Sequence, residues 1–82
     1  MNHYKILFKP RSLDDRVELE LVVEKDAQSA MFKWLRDNSN TNRHFSGYGH
    51  DAMTAEQIEL FNTDYEEFRK QNFKDHPAFG YN

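Results

Sequence analysis

The chain has 82 residues, a formal net charge of −3 and no cysteine. This length predicts one small domain spanning residues 1–82, and the lack of cysteine excludes disulfides, thiolate metal sites and a thiol nucleophile. No apolar run approaches the roughly 20 residues that cross a bilayer, and the N-terminus lacks the apolar region of a signal peptide, so we expect a soluble cytoplasmic protein without a membrane partner.

Two alternating segments near the N-terminus predict strands. Apolar and polar residues alternate over residues 3–9 and again over residues 16–24. This is the period of a half-buried strand, and the turn-forming residues between the segments predict a β-hairpin. The register that aligns Phe8 with Val17 pairs the two apolar faces. It leaves Leu7 and Val22 as a small apolar spot on the outer face.

A helical pattern follows the hairpin. Asp26 is a favourable N-cap residue, and the polar run 38–42 ends the helix because its side chains compete for backbone hydrogen bonds. Phe32 lies at the edge of the apolar stripe, where we expect partial exposure. The stripe itself has the spacing of a core-facing helix and consists of Ala27, Ala30, Met31, Trp34 and Leu35.

The segment 43–51 is consistent with either a short third strand or an ordered loop. Gly47 and Gly49 favour a bend or a bulge over a long strand. A domain of this size has a thin core. The interpretation favoured by the sequence is that Phe45 and Tyr48 help to complete it.

The second helix has the clearer start signal. Thr54 and Gln57 match a capping box, so the helix is predicted to run from Ala55 to about Asn72. Apolar residues then recur every three or four positions, which is the spacing of a core-facing seam. This seam consists of Ile58, Phe61, Tyr65 and Phe68.

Together these elements predict an α+β fold in the order ββα(β)α, in which a β-hairpin, with or without a short third strand, is packed by two α-helices. We expect both helices to cover one side of the hairpin and to form a single core there. The hairpin would keep an exposed edge, and exposed edges pair readily with other chains. A homodimer through the sheet is therefore a further expectation.

Charge gives the leading functional hypothesis. Residues 51–67 contain six acids and neither Lys nor Arg. Such a segment attracts basic surfaces and repels phosphate backbones, so we expect a protein partner with a basic surface and regard nucleic acid as unfavourable. The predicted protein-binding residues are the acids of the second helix, namely Glu56, Glu59, Asp64, Glu66 and Glu67.

One alternative hypothesis places a metal or small-molecule site in the loop from His44 to Asp51. Imidazole and carboxylate groups are ligands that zinc and similar ions accept. His44 and His50 are six positions apart with no predicted helix to fix their geometry. No residue of this loop is therefore predicted to be a metal ligand.

Another alternative is a single-stranded nucleic-acid binder. Phe45 and Tyr48 beside Arg43 have the side chains that stack on unpaired bases, and Lys5 and Lys9 would add positive charge from the outer face of the hairpin. The dense basic patch that normally supplies nucleic-acid affinity is missing from this segment.

The chain shows no nucleophile elbow, phosphate-binding glycine loop or metalloprotease helix motif, so we expect no enzymatic activity and no cofactor. In type only, and through no motif, it resembles small acidic accessory proteins of phages and other mobile elements, some of which inhibit host machinery. That resemblance implies a module that blocks a host protein. The aromatic residues Phe79 and Tyr81 near the C-terminus either pack on the domain or contact a partner.

Overall fold

A computed structural model describes residues 1–10 and 16–73 of the chain. The strands are β1 (Asn2–Pro10), β2 (Glu18–Glu24) and β3 (Arg43–Tyr48), and the helices are α1 (Ala27–Asp37), α2 (Ala55–Thr63) and α3 (Tyr65–Phe73). The strands form one antiparallel sheet in the spatial order β2-β1-β3. The predicted α+β class and element order are confirmed, and of the two possibilities left open for the segment 43–51 the structure shows the strand. Phe79, Tyr81 and most of the predicted hairpin turn lie outside the described residues.

The predicted register of the hairpin is wrong by one residue. Leu7 lies opposite Leu19, and Phe8 lies opposite Glu18 rather than Val17. A one-residue shift moves side chains to the other face of the sheet. Leu7 therefore lies with Leu19 on a second apolar face of the sheet, where it is buried. It does not form an exposed spot with Val22. Because β1 is the central strand and both of its faces are covered, its apolar residues need no strict alternation.

Helix α1 covers one face of the sheet. Trp34 is only 3 % exposed, and its ring centroid lies 5.5 Å from that of Phe8. Leu35 is 40 % exposed, so its predicted place in the core is wrong, whereas the predicted exposure of Phe32 is confirmed at 56 %. The side of α1 that faces the sheet consists of Ala27, Ala30 and Trp34. Leu35 comes one position after Trp34, which is a rotation of about 100° around the helix axis, so it lies away from the sheet.

The start of α1 agrees with the sequence. The carboxylate of Asp26 accepts a hydrogen bond of 2.7 Å from the backbone N–H of Ser29. This bond lowers the pKa of Asp26 because it favours the ionised carboxylate. The predicted N-cap is confirmed.

The opposite face of the sheet is covered by α2 and α3. Leu7, Val17 and Leu19 pack there against Phe68, which is fully buried. The expectation that both helices cover one side is therefore wrong, although Phe61, Tyr65 and Phe68 do meet Leu19 and Leu21 as the helical seam predicts. Since each face of β1 carries apolar side chains, each face needs its own helical layer.

The predicted long second helix is divided at Asp64. Asp64 has φ −147° and ψ 79°, which ends α2, and its side chain accepts a hydrogen bond of 3.2 Å from the N–H of Glu67 in the first turn of α3. Thr63 donates its hydroxyl to the carbonyl of Glu59 at 2.9 Å. Asn62, Thr63 and Asp64 all compete with helical backbone bonds, which explains why the helix breaks at this point.

A bulge in β3 places two aromatic side chains on the same face of the sheet. Phe45 pairs with Phe8 and Gly47 pairs with Leu7, so Ser46 is the extra residue. Phe45 and Tyr48 are three positions apart, and regular alternation would put them on opposite faces. With the bulge, both pack against the core beneath α1, as the favoured interpretation of this segment predicts.

Side chains of α3 cover part of the outer edge of β2. Arg69 is 4 % exposed and donates to the carbonyl of Val17 from Nε at 2.9 Å and from Nη2 at 2.6 Å. The hydroxyl of Tyr65 accepts from the N–H of Leu19 at 2.7 Å and donates to the carboxylate of Glu18 at 2.5 Å. Edge strands are commonly protected in this way from pairing with other chains. A homodimer through the sheet stays a prediction, and this part of the β2 edge is already occupied.

The hydroxyl of Tyr65 makes the stability of this edge contact depend on pH. Burial, followed by the bond to Glu18, raises the pKa of Tyr65. The stabilising contribution of the protonated hydroxyl is complete below the unfolded-state pKa of about 10 and is lost as the pH rises through the higher folded-state value.

Replacing Arg69 by methionine should lower the free energy of unfolding by about 2–3 kcal/mol, because the carbonyl of Val17 loses its charged donors while the aliphatic stem is kept. Urea denaturation measures this cost. Analytical ultracentrifugation should in addition show association of the variant through the opened β2 edge.

Lys70→Met is the matched control, since Lys70 is the exposed neighbour of Arg69. This substitution should change the free energy of unfolding by less than about 0.5 kcal/mol. Equal stabilities of the two variants would contradict the edge contact.

Candidate functional site

Helix α2 lies on the surface of the fold with no fully buried residue. Its N-terminus is capped as predicted, because the N–H of Gln57 donates to the hydroxyl of Thr54 at 3.2 Å. Phe61 anchors its inner side, with ring centroids 5.2 Å from Phe68 and 5.4 Å from Tyr65. One side of α2 is thus held by aromatic contacts, and the other faces solvent.

Two of the predicted binding residues lie on this solvent side. Glu56 and Glu59 are both exposed and are three positions apart, so they share one side of α2. Within residues 1–10 and 16–73, neither carboxylate forms an ion pair with a Lys, Arg or His side chain. In this part of the chain, no ion pair therefore offsets their charges.

The other three predicted binding residues have structural contacts. Asp64 caps α3, and Glu66 forms an ion pair with Arg16. Glu67 accepts a hydrogen bond of 3.4 Å from the side-chain amide of Gln71. The five acids therefore do not form one continuous face. The structure brings Glu56 and Glu59 together and gives the remaining three local roles on α3.

The residues of the nucleic-acid alternative lie on two faces of the sheet. Arg43 donates to Glu20 at 3.0 Å, and its guanidinium carbon lies 4.6 Å from the ring centroid of Phe8. Phe45 and Tyr48 are half-buried beneath α1. Alternation along β1 places Lys5 and Lys9 with Leu7, on the opposite face. The structure does not combine these residues into one surface.

The histidines of segment 43–51 belong to separate parts of the fold. His44 lies in β3, whereas His50 follows the strand and packs its ring 4.8 Å from that of Tyr48. Throughout the described ranges there is no group of three or more His, Asp or Glu side chains placed to hold a metal ion.

The same segment borders a cleft that the sequence did not predict. A space of about 510 Å³ opens between β1, the chain from Gly47 to Thr54, the first turn of α2 and the last turn of α3. Lys5, Gln57 and Asn72 contribute polar side chains to its wall, and Leu7 and Met53 contribute apolar ones. These residues are distant in sequence and share no local pattern, so only the fold brings them together.

The exposure of Leu35, which the sequence did not predict, creates an exposed apolar pair with Phe32 on α1. Phe32 and Leu35 are one helical turn apart and both face solvent. Within the described parts of the chain, no helix is long and apolar enough to span a membrane.

Comparison with protein-family models, with curated proteins and with solved structures finds no match to this chain.

Proposed function

We propose that this protein is a non-enzymatic protein-binding module that presents the acidic side of α2 to a basic surface on its partner. The observation that carries the proposal is the exposure of Glu56 and Glu59 without an ion pair in the described part of the chain. Charges that form no ion pair within these described ranges are available to an external partner.

The sign of the local field selects the class of partner. Glu56 and Glu59 lie in the segment 51–67, which contains six acids and no Lys or Arg, so a phosphate backbone would be repelled and a lysine- or arginine-rich protein surface attracted. Complementary charges of this kind raise the association rate and the specificity more than they raise the affinity itself. A protein partner with a basic surface is the form of binding that these charges favour.

A module of this kind acts by occupying its partner's surface. While α2 covers a basic patch, other anionic ligands of that patch are excluded. We propose this blocking mode in line with the type of small acidic accessory protein that the chain resembles, with a host protein as the target. The proposal needs no catalytic group.

Reversing both charges in Glu56→Lys/Glu59→Lys should weaken partner capture by about tenfold, since each exposed charge contact is worth up to about 1 kcal/mol and reversal makes it repulsive. Capture of a partner from the lysate of the source cell, quantified by mass spectrometry at low and high salt, measures the effect. The circular dichroism spectrum should stay unchanged because both side chains are exposed.

The matched control is Glu24→Lys/Asp37→Lys, which changes the net charge equally at the ends of β2 and α1. It should leave capture and its salt dependence within about twofold of the parent protein, because a surface charge far from the contact contributes little. Equal losses in both double variants, or no loss in Glu56→Lys/Glu59→Lys, would overturn the acidic side of α2 as the contact.

A further inference from the structure

We infer that two copies of this chain associate through the outer edge of β3 and the neighbouring side of α1. The partner at this surface is a second copy of the same protein, so the inference goes beyond the proposed contact of α2 and does not depend on it. Among the described residues, β3 is the end strand of the sheet and pairs only with β1. An end strand offers backbone groups with which another strand can pair.

The two edges of the sheet are not equally open. Arg69 and Tyr65 of α3 already bind backbone groups on the outer edge of β2. The sequence of β3, by contrast, contains no proline, lysine or acid, which are the residues that commonly block a sheet edge. The bulge at Ser46 restricts regular pairing to the residues on either side of it. An interface at this edge therefore needs side-chain contacts as well as backbone bonds.

Backbone groups of Tyr48 point towards the open edge. The N–H of Gly49, directly after β3, donates to the carbonyl of Lys5 in β1 at 2.9 Å. In an antiparallel pair, successive residues direct their backbone groups alternately towards the partner strand and away from it. Because Gly49 bonds to β1, the N–H and C=O of Tyr48 are directed to the other side, where a second chain can reach them.

The apolar face above β3 is only partly covered by α1. Phe45 and Tyr48 are half-buried, whereas the apolar residues of β1 on the same face are buried. The two rings lie 6.2 Å apart, and that of Phe45 lies a further 6.2 Å from Trp34. Aromatic rings at the margin of a sheet carry a large apolar area, so covering them more fully favours association.

The apolar residues of α1 extend around the helix in one direction from the core. With about 100° between successive residues, Met31 and Leu35 lie about 60° and about 100° from Trp34, and Phe32 continues to about 160°. Strands β2 and β3 are parallel to each other because both are antiparallel to β1. A helix that connects parallel strands forms a right-handed crossover, and this handedness directs that side of α1 towards β3. The exposed Phe32 and Leu35 therefore adjoin the open edge.

A twofold axis perpendicular to the sheet brings these features together. Two β3 strands paired antiparallel extend the sheet to six strands and leave both α1 helices on the same face. Leu35 and Phe32 of each copy then approach the other α1, above the half-buried rings of β3. Antiparallel pairing also keeps the two Arg43 side chains apart and turns each towards the Asp51 end of the other copy, so unlike charges approach. The surface is complementary to itself.

The molar mass of the unmodified protein in solution tests the inference. Sedimentation equilibrium should show a mass that rises from 9.8 kDa towards twice that value between about 1 µM and about 1 mM, the range of weak specific association. Amide chemical shifts that change on dilution should be confined to β3 and to residues 31–35. The N–H of Tyr48 should exchange more slowly at high concentration, because it gains a carbonyl acceptor.

Leu35→Lys should weaken the association by about a hundredfold, because burial of one leucine is worth at least about tenfold and the symmetry places each substitution at the interface twice. Leu35 is exposed and lysine has a similar helix propensity, so the circular dichroism spectrum should stay unchanged. Asp37→Asn is the matched control, since it changes the net charge equally and lies in the opposite direction around α1 from Trp34. It should leave the association within about twofold of the parent protein.

A mass of 9.8 kDa at every concentration would overturn the inference. Dilution shifts centred on β2 or α2, or equal association of Leu35→Lys and Asp37→Asn, would do so as well. The dilution series needs no variant, so the test does not depend on how a substitution folds. All of these measurements use the isolated protein, and their outcome is therefore separate from that of the partner-capture experiment.

Discussion

Replacing Trp34 by alanine is expected to lower the free energy of unfolding by about 3–5 kcal/mol, the range for emptying a large aromatic site in a core. Trp34 is 3 % exposed and lies between the rings of Phe8 and Phe45, at centroid distances of 5.5 Å and 6.2 Å. Its indole N–H also donates to the carboxylate of Glu20 at 2.8 Å. Small domains have a total stability near the lower end of about 5–15 kcal/mol, so this variant should be close to unfolded at room temperature.

Urea denaturation followed by circular dichroism measures this loss. Phe32→Ala is the matched control, because it removes an aromatic side chain from the same helix at a position that is 56 % exposed. It should change the stability by less than about 1 kcal/mol. If Trp34→Ala and Phe32→Ala unfold at the same denaturant concentration, the placement of α1 on the sheet is wrong.

Replacing Phe68 by alanine should cost a similar amount, about 3–5 kcal/mol, from the opposite face of the sheet. Phe68 belongs to α3, is 0 % exposed and packs against Leu7, Val17 and Leu19. Its ring also meets Phe61 edge-on at 5.2 Å. The alanine variant would therefore lose both the contact of α3 with the sheet and the aromatic contact that holds α2.

The fluorescence of Trp34 distinguishes the two faces in this experiment. In the folded fraction of Phe68→Ala, the emission of Trp34 should match that of the parent protein, because the indole lies beneath α1 on the other side of the sheet. On unfolding, fluorescence and circular dichroism should change together, since both cores share β1 and the domain is small enough to unfold cooperatively. A native-state shift in the Trp34 emission of Phe68→Ala would contradict the two-sided arrangement.

Helix α2 is expected to respond first when a partner binds. It rests on aromatic contacts and has no fully buried residue of its own. Occupation of Glu56 and Glu59 by a protein partner should therefore change the hydrogen exchange of this helix before that of the sheet.

The amino-acid sequence by itself determined the local structure of this protein. Asp26 and Thr54 begin α1 and α2 as predicted, because a cap is a bond between residues three positions apart. The sequence also predicted the alternation of the two strands, the helical stripe containing Trp34 and the seam containing Phe61 and Phe68. Each of these is a periodicity within one segment. The exposed acids Glu56 and Glu59 were likewise visible as a run of charge.

Only the tertiary structure decided how these segments combine. The register of β1 and β2 depends on which faces are covered, and the sequence could not show that helices lie on both sides of the sheet. The contact of Lys5 with Asn72 joins residues 67 positions apart, and the contact of Arg69 with Val17 joins residues 52 positions apart. Such contacts follow from packing rather than from any local preference, and for that reason the cleft and the covered β2 edge had no signal in the sequence.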